Sequence, residues 1–505
     1  MKLTEYQQKM NRIKLGGFVE HKNMAFSMGA TMILCLIFML ASYDFIEGKV
    51  NTIMLTVACL YLIMSLYMYA VLQKIKKDIV TKGTISNGTR RLGWPMTLFV
   101  LTGNFFGTIG GMYLLSKKKC IEYQLSVYMV ANLLMVMLVS TINIFKPAIP
   151  YYFDLGMGLL AVVLVFYIFV AVMLSKHADE HNIDPRLKKL LIPLALSVVT
   201  GNLFALILVI TMYKRLYQKN KEISIEWIDI MRRLFRNYMS VIGMFIVIFL
   251  VSISICSYLT FDYAVSVENN YSALFQPPSL AYPFGTDWMG RDMFVRSLTG
   301  LSISIRIGLL AACFSAVVAF IMGTMAACLG RATDAVIGGI IDLVMGIPHI
   351  LLLILISFAV GKGFWGVLIG VSLTHWTSLA RLLRGEVMQL RESQYIQVAK
   401  KLGKGRLYIA LKHMTPHLLP QLFVGMVLLF PHAILHEASI TFLGFGLPPE
   451  QPAVGVILSE SMKYLVMGKW WLALFPGLLL VFVVVLFHFI GDTLSRLLDP
   501  AQAHL

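Results

Sequence analysis

The sequence predicts an all-α polytopic membrane protein. Of its 505 residues, 58% are hydrophobic and only 14% are charged, and the mean hydropathy is +0.77. A soluble globular chain has about 25% charged residues, so this balance excludes an ordinary soluble enzyme, a coiled coil and a disordered chain. The apolar residues also form long runs of about 20, the length that a helix needs to cross a bilayer.

These runs predict up to twelve membrane segments. Helices are expected, because backbone groups in lipid must hydrogen-bond one another, and the alternating segments of a membrane β-barrel do not occur. The runs lie near 26–45, 52–73, 96–116, 124–145, 152–174, 190–213, 239–261, 301–329, 337–360, 364–383, 418–443 and 471–493.

The formal net charge of +17 is spread over short clusters of Lys and Arg between the apolar runs. This distribution indicates control of membrane topology and argues against nucleic-acid binding. Mostly polar residues precede the first run, too many for a cleaved signal, and Lys9, Arg12, Lys14 and Lys22 are expected to hold this end in the cytoplasm. The six cysteines show no CxxC spacing, so neither a disulfide framework nor a cysteine zinc site is expected.

A basic stretch at 214–237 divides the chain, and we place the boundary at residue 222. Residues 1–222 form a predicted N-terminal membrane extension of four to six spans with short loops. Residues 223–505 form a second predicted domain with longer loops that are rich in motifs. The residues leave three roles open for the extension: a scaffold, a regulatory module or a contact for a partner. One hypothesis is a lateral subdomain with no role in any transport path.

The extension contains a repeated motif. Thr-Gly-Asn-x-Phe occurs at 102–106 and at 200–204, 98 residues later. The basic pair and the proline before the first copy recur at the same offset before the second. This self-similarity predicts a tandem repeat of about 98 residues.

Two topologies are compatible with the repeat. If segments 96–116 and 190–213 both span the membrane, basic residues at 117–119 and 186–189 face outside, against the positive-inside tendency. If each segment instead dips in and returns, these residues are cytoplasmic. Gly and Asn at membrane depth suit such a broken helix, provided that it lines protein or water.

The second domain carries several motifs in a fixed order. They are Pro-Phe-Gly-Thr-Asp-x-x-Gly-Arg-Asp at 283–292, a cytoplasmic loop at 395–420, Glu-Ala-Ser-x-Thr-Phe-Leu-Gly at 437–444, Trp-Trp-Leu-Ala-Leu-Phe-Pro-Gly at 470–477, and an ending with Gly-Asp and Leu-Asp-Pro at 491–500. Together they resemble the permease subunits of binding-protein-dependent ABC importers in the dipeptide/oligopeptide/nickel family. The resemblance covers about residues 230–500 and implies a six-helix permease core with a cytoplasmic coupling loop at 384–417.

The cytoplasmic loop has the pattern of a short docking helix. Tyr395, Ala399 and Leu402 are spaced i, i+4, i+7 and so share one helical face, and Gly403 is a good helix stop. The resemblance implies that this segment couples to the ATPase subunits. Where the family usually begins with Glu-Ala-Ala, this chain has Gln397-Val-Ala, without the acid. The alternative is a solvated basic loop.

No G-x-x-x-x-G-K-[ST] motif occurs, because residues 83–90 have the glycine spacing but Thr-Arg in place of Lys-Ser/Thr. We therefore expect this chain to be a transport subunit and not an enzyme, with no bound cofactor. ATP is expected to be used by a partner. The resemblance implies ABC ATPase subunits, a second homologous permease and an extracytoplasmic binding protein as partners, besides membrane lipid.

Polar groups at membrane depth are costly and are candidates for a translocation path. Asp342 precedes Gly-Ile-Pro at 346–348, where a proline could open the helix, although a bond between helices is the plainer role. His432 and His436 share a face at i, i+4 and could contact a metal, although buried structural histidines are commoner. The candidates are Asp342, His349, His375, His432, His436 and Glu437.

The outside segment at 262–300 offers Asp287, Arg291 and Asp292, with Glu450 and Glu460 on the later outside loop. The resemblance implies that this face receives the binding protein, and solvated loops are the alternative. We therefore expect import of di- or oligopeptides across the cytoplasmic membrane by alternating access, with both termini cytoplasmic. Import of nickel or a metal chelate by the same machinery stays open. Rivals from other classes are a metal enzyme using His432, His436 and Glu437, and a channel without an ATPase.

Overall fold

The computed structural model describes residues 18–42, 52–115, 120–146, 149–178, 183–217, 238–279 and 281–498, with 7, 10, 11, 15, 50, 227, 228 and 231–235. These described residues are α-helical without a named strand, and eight of their helices are long and apolar enough to cross a membrane. The prediction of an all-α polytopic membrane protein is confirmed.

The chain divides into two compact units. The first contains residues 1–141 and 154–252, and the second contains 142–153 and 253–505. The division runs through helix α10, named below. The domain boundary predicted at residue 222 lies outside the described residues and stays a prediction.

Four long helices lie in the described part of the first unit, before the start of α10. They are α1 (Val19–Ala41), α2 (Thr52–Lys82), α6 (Ile121–Ser140) and α7 (Phe153–His177). Each matches one predicted apolar run. After each pair of long helices comes a segment of short helices, and these two segments contain the repeated motif.

The first short segment folds back on itself. It contains α3 (Asn87–Arg91), α4 (Gly93–Thr97), a 3₁₀ turn at Leu98–Thr102 and α5 (Phe105–Leu115). Between the turn and α5, Gly103 has φ +76°, a left-handed conformation that residues with a Cβ seldom adopt. The two arms then touch, since a Cβ added at Gly93 would lie 2.6 Å from the carbonyl oxygen of Gly111. This segment is therefore a helical hairpin and not one span.

The second short segment has the same design. A 3₁₀ helix (Pro185–Leu190), α8 (Leu191–Ser197) and a 3₁₀ turn (Val198–Thr200) lead to Gly201, whose φ is +74°, and α9 (Leu203–Tyr217) returns. The two ends of the hairpin meet, since Nζ of Lys188 lies 4.7 Å above the ring of Tyr217. Of the two topologies left open above, the chain has the one in which both segments turn back.

An asparagine follows the turning glycine in each hairpin and ties its tip to a long helix. Nδ2 of Asn104 lies 3.2 Å from Oγ1 of Thr31 in α1. Nδ2 of Asn202 donates to the carbonyl oxygen of Met129 in α6 at 2.9 Å. Both asparagines are fully buried. The partners, like the asparagines, stand 98 residues apart, so both halves of the unit are held by the same kind of contact.

The second unit contains the motifs of the second predicted domain. After α10 (Tyr238–Thr260) comes an irregular segment at 262–292 with the short helix α11 (Ala264–Val267). We call it the outer segment, after the side of the membrane on which the sequence predicts it. Long helices follow. They are α12 (Met293–Leu329), α13 (Arg331–Gly346), α14 (His349–Val360), α15 (Phe364–Glu392), α18 (Thr415–Phe442) and α20 (Trp471–Leu498), with the shorter α16 (Gln394–Lys401), α17 (Arg406–Ile409) and α19 (Val454–Leu465).

The predicted run at 337–360 is not one straight helix. Helices α13 and α14 meet at 99° across Ile347 and Pro348. Proline lacks an amide hydrogen and clashes with the preceding turn, so a helix ends before it. The predicted opening before His349 is confirmed, and it leaves α14 as a half-length helix that starts at that histidine.

Candidate functional site

The outer segment at 262–292 is a set of tight turns fixed by glycine. Gly290 has φ +75°, and a Cβ there would lie 1.8 Å from the carbonyl oxygen of Asn270. Gly285 has φ +73° and packs against the indole of Trp471, whose Nε1 donates to the carbonyl oxygen of Thr286 at 3.3 Å. Two motifs that are almost 200 residues apart in sequence therefore form one compact structure.

Inside these turns lies a buried ion network. Nε of Arg291 donates to Oδ2 of Asp287 at 2.7 Å, and its Nη2 donates to Oε2 of Glu460 in α19 at 3.0 Å. Arg296 in α12 has no exposed surface and donates to the same Glu460 oxygen at 3.0 Å and to the carbonyl oxygen of Ser266 at 2.8 Å. The network joins the outer segment, α12 and α19 into one element.

Asp292 begins α12. Its Oδ1 accepts from the amides of Phe294 and Val295, which caps the helix, and its Oδ2 lies 2.6 Å from Nζ of Lys146. Nearby, burial and the Asp292 carboxylate raise the pKa of the Tyr282 phenol. The three predicted outer residues, Asp287, Arg291 and Asp292, are thus brought together, but all three are buried.

The loop predicted to be cytoplasmic contains helix α16, which has two distinct faces. Ile396 and Ala399 are buried in the main core of the second unit, with Val387 of α15 and Leu418 of α18. The opposite face is apolar and exposed, and it consists of Tyr395, Val398 and Leu402, with exposed fractions of 42%, 54% and 71%. The helix ends at Lys401, and Gly403 follows with φ +75°, as predicted for a helix stop.

The structure separates the residues expected to share one docking face. Tyr395 and Leu402 lie on the exposed face, whereas Ala399 points into the core. The exposed residues, Tyr395, Val398 and Leu402, are spaced i, i+3, i+7. The predicted spacing of i, i+4, i+7 instead included Ala399, which lies on the buried side of the helix. Gln397 is half-buried, and its Nε2 donates to the carbonyl oxygen of Arg391 at 3.3 Å.

A π-helical turn follows this loop. It covers Ala410–Met414 and leads directly into α18, with Oγ1 of Thr415 donating to the carbonyl oxygen of Ala410 at 3.0 Å. Single π turns inside helices are frequent at functional sites, because they shift the register of the helix. The ring of Tyr395 lies 5.7 Å from that of His417 in the first turn of α18. Helix α16 therefore contacts α18 close to this irregular turn.

Three histidines from three helices converge within the bundle. Nδ1 of His436 in α18 lies 2.8 Å from Nε2 of His375 in α15, a hydrogen-bond distance. The ring of His349, the first residue of α14, lies 6.0 Å from that of His375 and 5.9 Å from that of His436. His432 is exposed one turn earlier on α18. Of the four candidate histidines, His375 and His436 are thus within hydrogen-bond distance of each other, and the His349 ring stacks beside them.

The facing nitrogens of His375 and His436 are not spaced as two ligands of one metal ion. Two imidazoles bound to one ion at about 2.1 Å each in a tetrahedral site have their nitrogens farther apart than the 2.8 Å seen here. In the described part of the chain, no group of three or more His, Cys, Asp or Glu side chains could hold a metal ion.

The two predicted acids lie in different surroundings. Asp342 in α13 is exposed and pairs with Nη2 of Arg381 in α15 at 2.5 Å. Glu437 is fully buried and accepts from Oγ of Ser304 in α12 at 2.5 Å and from Oγ1 of Thr441 at 3.1 Å. Each acid therefore joins two helices: Asp342 joins α13 to α15, and Glu437 joins α18 to α12.

The sequence reasoning did not single out Arg296, Lys146 or the pair Asp334–Arg384. Asp334 of α13 and Arg384 of α15 form a bidentate bond, with distances of 2.5 Å and 2.9 Å. The available signal at Arg296 was a charged residue five positions before the apolar run at 301–329, because charged residues that enter a membrane helix are rare and almost always paired. Lys146 gave a weaker signal as a single lysine between two apolar runs.

Two family models match this chain. Residues 315–504 match the binding-protein-dependent transport system inner membrane component, and residues 226–278 match the N-terminal TM domain of oligopeptide transport permease C. Both matches lie after the predicted extension.

Curated relatives give the same result. The dipeptide transport system permease protein DppC of Bacillus subtilis is 30% identical over 272 residues, which is 54% of this chain and 85% of that protein. The oligopeptide transport system permease protein OppC of Bacillus subtilis is 32% identical over 274 residues, or 54% and 89%. A putative peptide transport system permease protein of Brucella suis is 38% identical over 226 residues, or 45% and 76%.

Proposed function

We propose, since this chain belongs to the family of inner-membrane components of binding-protein-dependent transport systems, that it is the permease subunit of an ATP-driven peptide importer. In this proposal it works with a second, similar permease, ABC ATPase subunits and an extracytoplasmic binding protein. ATP is bound by the ATPase subunits, since this sequence has no phosphate-binding loop motif.

The two faces of α16 are the observation that carries the proposal. The exposed face, Tyr395, Val398 and Leu402, offers an apolar surface to a groove on a soluble partner. The buried face, Ile396 and Ala399, belongs to the same core as the long helices α12, α15 and α18. A displacement of the exposed face is therefore transmitted to those helices, because a close-packed core moves as a unit.

Alternating access needs a place where the helices can open. The break between α13 and α14 supplies a hinge, and the three histidines gather where α14 begins. We place the translocation path beside the histidine cluster at the start of α14. His349, His432 and His436 are its proposed lining residues, and Asp342 lies on α13, the first half of the broken helix. Glu437 is better described as a buried bond between α18 and α12.

We assign peptides as the substrate class, because the relatives named above are dipeptide and oligopeptide permeases. Nickel and metal chelates are less well supported, since the histidines bond each other directly. Neither a metal enzyme nor a channel without an ATPase would explain why α16 has one exposed apolar face and one face buried in the core.

We also propose an orientation in the membrane. If both hairpins turn back within the membrane, the basic residues near Arg91 and Lys189 share one side, and the positive-inside tendency supports the cytoplasm as that side. In this proposal the loop at 141–153 and the outer segment are outside, and both termini are inside.

The test is uptake by cells that lack this gene, complemented with the full chain or with Leu402→Glu. Labelled di- and oligopeptides and labelled nickel, with and without a chelator, are supplied in parallel. The full chain should restore peptide uptake and leave nickel uptake unchanged, and Leu402→Glu should not restore peptide uptake. Restored nickel uptake alone would replace peptide as the substrate class. Full peptide uptake with Leu402→Glu would remove α16 as the coupling element.

A further inference from the structure

The loop between α6 and α7 links two helices of the first unit, yet it belongs to the second. Residues Ile142–Phe153 pack with the second unit, whereas α6 and the rest of α7 belong to the first unit. We call this loop the strap. It lies within the predicted extension, whereas the family matches begin only at residue 226.

The strap contacts both ends of the outer segment. The side-chain amide of Asn143 donates to the carbonyl oxygen of Thr260, the last residue of α10. The Tyr152 hydroxyl donates to the carbonyl oxygen of Phe261 at 3.1 Å. Between these contacts, Nζ of Lys146 lies 5.0 Å above the Phe261 ring. The strap therefore holds the point where the chain leaves α10.

Lys146 also reaches the other end of the segment. Its side chain is 5% exposed, and its Nζ lies 2.6 Å from Oδ2 of the fully buried Asp292. Among the described side chains, Lys146 is the cation that pairs with Asp292, since Arg291 and Arg296 pair with Asp287 and Glu460. A buried carboxylate needs such a partner, because removing one member of a buried pair leaves an uncompensated charge.

We propose that Lys146 is a positioning residue for transport: the N-terminal extension supplies the counter-ion that holds the outer segment and the start of α12 in the form that engages the binding protein. The proposal rests on the function proposed above. Asp292 caps α12, and α12 packs against α15 and α18 in the core shared with α16. Any movement of α12 relative to the outer segment must therefore carry or break the ion pair with Lys146.

The test uses the full complex in lipid nanodiscs, with Lys146→Met, Lys146→Arg and the control Lys463→Met. Lys463 is an exposed lysine on α19, close in sequence to Glu460. Amide hydrogen exchange of residues 285–292 is measured without substrate. ATP hydrolysis is then measured against binding-protein concentration, which separates the half-maximal concentration from the maximal rate.

Lys146→Met should speed exchange of these amides about tenfold and raise the half-maximal binding-protein concentration about tenfold, with the maximal rate within about twofold of the parent. Lys146→Arg should recover both values because it keeps the charge, and Lys463→Met should match the parent. Unchanged exchange and unchanged half-maximal concentration in Lys146→Met would overturn the proposal. A fall in the maximal rate alone would also overturn it.

A second variant covers the case in which Lys146→Met does not fold. Tyr152→Phe removes one hydroxyl of the strap and keeps the ion pair, so it should move both values in the same direction by about threefold. No change in Tyr152→Phe would then count against the strap. The exchange measurement needs no transported substrate, so it separates failure of this proposal from failure of the peptide assignment.

Discussion

Arg296 has no exposed side-chain surface, and its Nη2 donates to Oε2 of Glu460 at 3.0 Å. The bond joins the first turns of α12 to α19, through two residues that lie 164 positions apart in the sequence. Arg291 donates to the same oxygen at the same distance. The Glu460 carboxylate therefore accepts hydrogen bonds from two guanidinium groups and ties the outer segment and α12 to α19.

Arg296→Met should lower the free energy of unfolding by about 1–3 kcal/mol, because it leaves the carbonyl oxygen of Ser266 without its donor and removes one of the two cations that share the Glu460 carboxylate. Thermal unfolding of the purified chain in detergent measures the effect. Arg306→Met is the matched control on the same helix, since Arg306 is exposed and bonds the Tyr258 hydroxyl. The control should change stability by at most about 1 kcal/mol. Equal effects of the two variants would contradict a special role for the buried network.

Leu402→Glu should remove the ATPase from the purified complex and leave the stability of this chain unchanged, because the side chain is 71% exposed. Co-purification of the ATPase and thermal unfolding are measured on the same preparations. Gln397→Glu is the control: it adds the same charge at the position where the resembled family usually has glutamate, and it should keep the ATPase bound. Retention of the ATPase by Leu402→Glu would place the docking surface elsewhere.

Gly103→Ala and Gly201→Ala should each destabilise the chain by about 1–2 kcal/mol, because both positions have left-handed backbone. The cost at Gly103 is conformational, since the nearest atom to an added Cβ is the Tyr61 hydroxyl at 3.8 Å. Gly158→Ala in α7 is the control, because nothing lies within 4 Å of an added Cβ there, and it should be neutral or stabilising. Thermal unfolding separates the three variants, and a neutral Gly103→Ala would contradict the turn.

Cysteines placed at Arg91 and Lys189, in a chain without its native cysteines, should react with a membrane-impermeant thiol reagent from the same side. The reason is that each hairpin returns to the side from which it started. Inside-out and right-side-out vesicles give the measurement, and exposure of both positions in the structure makes them suitable. Full spans at 96–116 and 190–213 would put these two cysteines on opposite sides, which is the contradicting result.

Much of the fold could be predicted because the bilayer imposes a length on apolar helices. Apolar length alone could not separate one span from two half-length arms, and the left-handed glycines at 103 and 201 decide between them. Of the candidate site, the histidines were predictable as polar groups at membrane depth, and His349, His375 and His436 do meet. The ion pair between Lys146 and Asp292 was not predictable, because it joins distant parts of the sequence and only the packing of the loops brings them together. Ala399 was misplaced for a related reason, since helical spacing identifies a face but not its partner.

His436→Leu should destabilise the chain by about 1–3 kcal/mol, because it leaves Nε2 of the buried His375 without its partner at 2.8 Å. His432→Leu is the matched control one turn away on α18, where the side chain is exposed, and it should change stability by less than about 0.5 kcal/mol. His436→Gln, which can restore a hydrogen bond, should recover part of the loss. Peptide uptake is measured beside thermal unfolding: if the histidines line the path, His432→Leu should alter uptake while stability stays constant. Normal uptake with both leucine variants would reduce the cluster to a structural bond between α15 and α18.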